Sequence, residues 1–424
     1  MRTSKPLKAQ KNVFLNGGTL RRTATVFILI LGLSALMQLV HAVEPLTTII
    51  IRPDGSIDPP MAPIQRDGAV YAFIGEIYAE IIVQKNNTII DGRNFALKGS
   101  YVLDSTGILL SNVKDVEVKN VHIIGFFYAI KIKGSKNCAI IKNNITANNF
   151  GVWVEHSAEN IITKNVFSNL WCGVALKYSS KNQISENLFS NNQHGVMLDW
   201  SNENVLTKNV LMDNGNGIIL AWSDNNLIDE NAIASKTKRN WHGIELHSSS
   251  SNTIYKNTVE NTVYAIWFYD ASKNLVVLNN VSRNTHGIII WYATNNTIYH
   301  NRFIDNMEQA KCYPLQTFPN KWDNGYPSGG NYWSDYTGAD EKSGRNQDQP
   351  GSDGIGDTPY IIDNKNVDYY PLVSVPLKQK SDQMPIVFYA LTIAILTGLG
   401  TLFFILHRTR IAKNKAKVNV LLLV

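Results

Sequence analysis

The residues of this chain best suited to chemistry are Glu245, His247 and Asp270. Two carboxylates and a histidine suit general acid–base work, in which one group takes a proton while another supplies one. On a glycosidic or uronate substrate such a set would serve a hydrolase, a lyase or an epimerase. Large aromatics recur around these acids; Trp153, Trp200, Trp222, Trp267, Tyr269, Trp291 and Tyr292, together with Asp199, are candidate ligand contacts. Sugar rings stack on aromatic faces and their hydroxyls bond to carboxylates, so a glycan or another extended surface polymer is the partner such residues fit. The same aromatics could equally stack on one another. A third group, Asp348, Asp353 and Asp357, stands among glycines with Asp340 and Glu341 nearby. Such loops can wrap Ca²⁺, although the closing Glu of an EF-hand is missing and a solvated turn is the alternative. Calcium is the only cofactor these residues suggest.

No local motif marks any of these residues, so the elements that carry them decide what they can do. Those elements repeat. Lines begun at Gly107, Ala129, Gly151, Gly173, Gly195, Gly217, Gly243, Ala265 and Gly287 are 22 residues apart, except for one step of 26 at Gly217–Gly243. The four extra residues fall in the polar stretch Ser235–Asn240. One residue after each start stands Ile or Val, and two further on stands Leu, Ile, Val or Phe, which is the alternation of a strand with one buried face. Two more apolar columns follow, one through Ile140 and Ile162, the other through Ile145 and Phe167. Three short inward-facing segments per repeat, with polar corners, predict an all-β, right-handed, three-sided parallel β-helix. Leucine-rich repeats would need a helical segment, and a left-handed β-helix a six-residue period; neither pattern is present.

Two asparagine columns run between the apolar ones, through Asn160, Asn182 and Asn204 and through Asn143, Asn165 and Asn187. Asparagine tolerates turn backbone angles, and stacked amides bond between coils roughly 4.8 Å apart. The register puts Glu245, His247 and Asp270 on adjacent coils with Asp199 two coils away, on one elongated outward face with the aromatics. His194, His242 and His286 each precede a repeat start and are expected to end a corner rather than bind metal.

Net charge is +6, yet its distribution argues against nucleic acid. Six basic residues precede the first acid, Glu44, and five follow the last, Asp382; between the ends 29 basic residues face 34 acidic ones. Arg21 and Arg22 precede the apolar run Val26–Val40, the pattern of a secretory signal. The run Pro385–Leu406 is long enough to span a bilayer, with Arg408 and Arg410 behind it on the cytoplasmic side. The organisation expected is a signal peptide or anchor at 1–42, an N-terminal cap and first coil at 45–106, and repeats at 107–306. A C-terminal cap segment at 307–372, a linker at 373–384, a transmembrane helix at 385–407 and a basic tail at 408–424 follow. This makes a single-pass cell-membrane protein with an extracellular ectodomain, its oligomeric state open. Cys138, Cys172 and Cys312 do not make a disulfide framework.

The segments Gly329-Gly330-Asn331-Tyr332-Trp333-Ser334-Asp335-Tyr336 and Asp353-Gly354-Ile355-Gly356-Asp357-Thr358-Pro359-Tyr360, with the 22-residue coils, resemble the NosD-like β-helix family. The resemblance covers roughly Thr47–Leu372. It implies a secreted or surface β-helix, and by analogy an accessory role in copper-site maturation. Copper needs converging His, Met or Cys ligands, and the sequence scatters them. Glycan binding without turnover, a polysaccharide-active enzyme and metal-site maturation are thus the three functions in play, in that order.

Overall fold

The computed structural model describes residues 47–236, 241–313 and 319–374. The two long apolar runs, Val26–Val40 and Pro385–Leu406, lie outside the described residues. Among the described residues there is no helix, and none is long and apolar enough to cross a membrane.

The chain winds as a right-handed parallel β-solenoid of about 11 turns. Three sheets of 13, 12 and 11 strands run its length. In one coil Cys172–Lys177 belongs to the first sheet, Gln183–Ser185 to the second and Leu188–Ser190 to the third. Register follows the 22-residue step: Val152 pairs with Val174, and Val174 with Val196. Between Asn216–Ala221 and His242–His247 the step is 26, with the extra residues after Ala234. The inward columns are fully buried; Phe167 and Phe189 stack at 4.8 Å and 7°. Each such side chain contributes about 1.5–3 kcal/mol by leaving water.

The corners differ from the sequence expectation. Each regular coil holds four non-glycine residues with positive φ; in one they are Tyr178, Lys181, Glu186 and Asn191, in the next Trp200, Glu203, Lys208 and Asp213. The buried asparagines follow the left-handed residues and do not themselves occupy that region. Their role is hydrogen bonding. Asn187 Nδ2 donates to Ile162 O at 2.8 Å and to Asn209 Oδ1 at 3.1 Å, and its Oδ1 accepts from Asn165 N and Nδ2 at 2.9 and 3.0 Å. Each amide therefore satisfies backbone groups that the left-handed kink removes from the strands. A serine column (Ser135, Ser157, Ser179, Ser201, Ser223, Ser249) does the same work at the corner after the first sheet.

Both asparagine ladders end in the C-terminal segment. Asn301 donates to Asn331, whose N–H donates to Asp368 at 2.7 Å. Asn296 donates to Asn320, whose N–H reaches Asn366, and Asn366 Nδ2 donates to the Asp363 carboxylate. Trp333 stacks on Phe303 at 4.6 Å and 11°. At the opposite end, Ile57–Asp58 pairs antiparallel with the first strand.

Candidate functional site

The outer side of the first sheet carries the candidate residues, but in two rows rather than one face. Strand residues such as Glu245, His247, Trp267, Tyr269 and Trp291 point outward from the sheet. Trp200, Trp222, Ser248, Asp270 and Tyr292 are the left-handed residues that end those strands, with φ of 46–54°. The second group forms a row along the corner edge.

That corner row is aromatic for four coils and then changes. His156 stacks on Tyr178 at 5.1 Å and 9°, and Trp200 on Trp222 at 5.7 Å and 9°. Trp200 and Trp222 remain 52% and 40% exposed, a costly arrangement for large apolar rings in a left-handed conformation. The next residue in the row is Ser248, then Asp270, then Tyr292. Trp222 thus has a stacked ring on one side only; on the other it meets the short Ser248 and the edge of His247 at 5.5 Å. The opening after Trp222 is bordered by His247, Ser248, Tyr269, Asp270 and Tyr292.

Polar contacts inside this opening are specific. Ser248 Oγ lies 3.4 Å from His247 Nδ1 and 3.4 Å from Asp270 Oδ2. Donating to Asp270, Ser248 can accept from a protonated Nδ1, which leaves His247 Nε2 as the basic nitrogen. Burial depresses the His247 pKa below the ordinary histidine value, against the opposing pull of Glu245 and Asp270. His247 also stacks on Tyr269 at 4.8 Å. Ser248 is the member that sequence reasoning missed; its signal was a small residue interrupting an aromatic column.

The other candidates are distributed differently. Glu245 does not pair with Asp270; its Oε2 lies 2.9 Å from His242 Nδ1, and His242 stacks on Trp267 at 4.6 Å. His194, His242 and His286 begin their strands on the outer face rather than ending corners. Their column includes Asn216 and Tyr264, with Asn216 Nδ2 3.2 Å from His194 Nδ1 and Tyr264 stacked on His286 at 5.0 Å. Burial pushes His194 down to about 4, so it is neutral at ordinary pH. Asp199 is raised by burial, with Lys177 on the preceding coil opposing the shift. Trp153 belongs to a separate apolar cluster with Phe150, at 4.9 Å, and Tyr128. Trp291 stacks on Tyr292 at 6.0 Å and on Tyr313 at 4.9 Å, extending the aromatic edge.

Asp348, Asp353 and Asp357 do not share one pocket of oxygens. Asp353 accepts from Gly344 N and Ile355 N, Asp357 from Glu341 N and Lys342 N, and Asp348 from the Gln349 amide. Asp340 accepts from Asp353 N and Gly354 N. The carboxylates pin turns, as in an Asx-braced loop. Among the described residues no three His, Cys, Asp or Glu side chains converge as a metal group. Soft donors fare no better. Cys172 pairs with His194 and packs near Met197, yet its thiol is sealed, donates to Val174 O at 3.4 Å and is pushed far up by burial. Cys138 is pushed up to about 11 for the same reason. Such thiols are packing groups, not thiolate ligands.

Several solved structures are similar to this chain at low identity. A mutant of the periplasmic alginate epimerase AlgG is 18% identical over 60% of this chain and 68% of that one, with a TM-score of 0.47. The A-module of the Azotobacter vinelandii mannuronan C-5 epimerase AlgE6 is 13% identical over 59% of this chain and 87% of that one, with a TM-score of 0.42. A mutant tailspike protein of E. coli bacteriophage HK620, in complex with a pentasaccharide, is 13% identical over 54% of this chain and 52% of that one, with a TM-score of 0.43. No curated protein matches the chain. The family model described as periplasmic copper-binding protein (NosD) matches residues 84–240 and 173–338, more than half of the sequence, and the chain belongs to that family.

Proposed function

We propose that this protein is a membrane-anchored surface β-helix that binds a glycan along the corner edge of its first sheet, without turning it over. One observation carries the proposal: the aromatic row through Trp200 and Trp222 stops at Ser248, leaving one side of Trp222 without a stacked ring beside hydroxyl, imidazole and carboxylate groups. An apolar platform with a few convergent polar groups is what a sugar ring needs. The two tails supply the signal and the anchor in this reading, and residues 45–106 and 307–372 close the two ends of the solenoid. The donors described above do not fit copper, so the reading contains no metal step. Titration of the full-length chain with a panel of oligosaccharides tests it. Trp222→Ala should weaken binding about tenfold, the loss of one good stacking contact. Unchanged affinity in that variant would sink the proposal. Accessibility of the repeats to protease added outside intact cells tests the topology.

A second reading, turnover of the bound glycan, is favoured by the His247–Ser248–Asp270 arrangement. Burial favours the neutral form of His247, the form that can accept a proton, and Asp270 orients it through Ser248. New reducing or unsaturated ends, or an epimerised product, formed by the wild type and lost in His247→Gln while binding persists, would establish it.

A further inference from the structure

The charges along the edge specify which glycan. The outward positions of the strands from His194–Asp199 through His286–Trp291, and the corner residues after them, include no lysine or arginine. They include three carboxylates: Asp199, Glu245 and Asp270. The basic residues of this face stand to either side of that stretch. Lys131, Lys133 and Lys177 precede it, Lys177 beside Asp199. Lys311 follows it and is held by Glu308 at 2.9 Å. Lys273 lies on the coil of Asp270 but three residues further round, at the next left-handed position.

Asp270 is the exposed carboxylate of the opening. The Ser248 hydroxyl donates to it at 3.4 Å. Rings surround it: Tyr269 precedes it in the chain, Tyr292 follows it in the row, and these two meet edge-to-face at 5.9 Å. Trp222 closes the opposite side. A carboxylate set among electron-rich ring faces attracts an ammonium group by direct charge and by cation–π contact. The same carboxylates repel a uronate.

We propose that the edge selects glycans bearing free amines, of the glucosamine type, over neutral and uronate polymers. The inference rests on the glycan-binding reading above and adds the substrate class.

The full-length chain, purified in mild detergent, is titrated with three oligomers of equal length at low salt and at a pH that keeps the amine protonated. They are a β-1,4-linked glucosamine oligomer, its fully N-acetylated counterpart and an oligouronate. The amine form should bind about tenfold more tightly than the acetylated form, and the advantage should shrink as salt rises. Asp270→Asn should reduce the advantage to within twofold, by weakening the amine form more than the acetylated form. Equal binding of the amine and acetylated forms overturns the selectivity and leaves the glycan reading standing. So does an oligouronate that binds as tightly as the amine form, or a preference that survives Asp270→Asn. Binding of none of the three overturns both.

Discussion

Neighbouring residues at one corner should respond to substitution with opposite signs. Asn279 is fully buried, while Leu278 before it has φ of 59° and is 40% exposed. Asn279 Nδ2 donates to Ile254 O at 2.8 Å and Asn301 Oδ1 at 2.9 Å, and its Oδ1 accepts from Asn257 N and Nδ2 at 2.8 and 3.0 Å. Asn279→Ala removes the amide and leaves two or three buried groups without a partner. At about 1–3 kcal/mol for each, the total is on the order of 4 kcal/mol. Asn279→Gly discriminates between explanations. Were asparagine chosen for its turn angles, glycine would be tolerated; because it is chosen for its bonds, glycine should cost as much as alanine. Leu278→Gly relieves a left-handed residue worth about 1–2 kcal/mol, offset in part by the extra freedom of glycine in the unfolded chain. A small net gain, roughly 0.5 kcal/mol, is expected. Urea unfolding followed by circular dichroism would measure all three variants. A mild Asn279→Gly, or a Leu278→Gly that destabilises as much as Asn279→Ala, would refute the assignment of roles.

Further outcomes follow from other contacts. A Cβ on Gly173 would lie 2.5 Å from the Phe189 ring and 2.7 Å from Gly195 O, so Gly173→Ala should cost about 1–3 kcal/mol by overpacking, read as a lower urea midpoint. Lys208 and Glu230 form an exposed ion pair at 3.5 Å between successive coils. Glu230→Lys would stack like charges there, costing at most about 1 kcal/mol at low salt and little near 1 M salt. Burial raises Asp368 to about 7 despite donors from Asn331, Trp333 and Tyr370. The folded state therefore holds a proton between about pH 4 and 7 that the unfolded state releases, so this stabilisation is complete below pH 4 and lost as pH rises to 7. Stability should fall by a few kcal/mol across that window, and Asp368→Asn should remove the slope, whatever it does to the overall level.

Most of the fold was legible because an in-register solenoid brings the same chemistry to the same place on every coil. A buried column must stay apolar from Ile108 to Ile288, and a buried amide must meet another amide. The left-handed row was not legible. It holds His156, Tyr178, Trp200, Ser248 and Asp270, whose only common property is position. The coils above and below dictate that backbone kink, and the residue type does not. The register correctly brought His247 and Asp270 to neighbouring coils. It could not foretell that Ser248 bridges them or that Glu245 turns toward His242, because one residue of strand or corner decides which way each side chain points. Trp153 illustrates the same limit: it shares a column with Glu245 and Trp267, yet it packs against the rings of Tyr128 and Phe150.

The asparagine ladders have a direction. Along both ladders each amide-to-amide bond is donated towards the C-terminal end, and the two series finish at Asp368 and, through Asn366, at Asp363. The solenoid therefore behaves as a sentence with a fixed full stop and a variable number of clauses. Removing the whole period from Gly173 to the residue before Gly195 would rejoin Asn165 to Asn209 and Asn160 to Asn204 without a gap. It would also carry Trp222 one step closer to His156. Cutting the chain before Asn331 would instead strand every donor series at its unfinished end. Length can drift in units of one coil, and the binding edge is rewritten each time, while the terminator must stay.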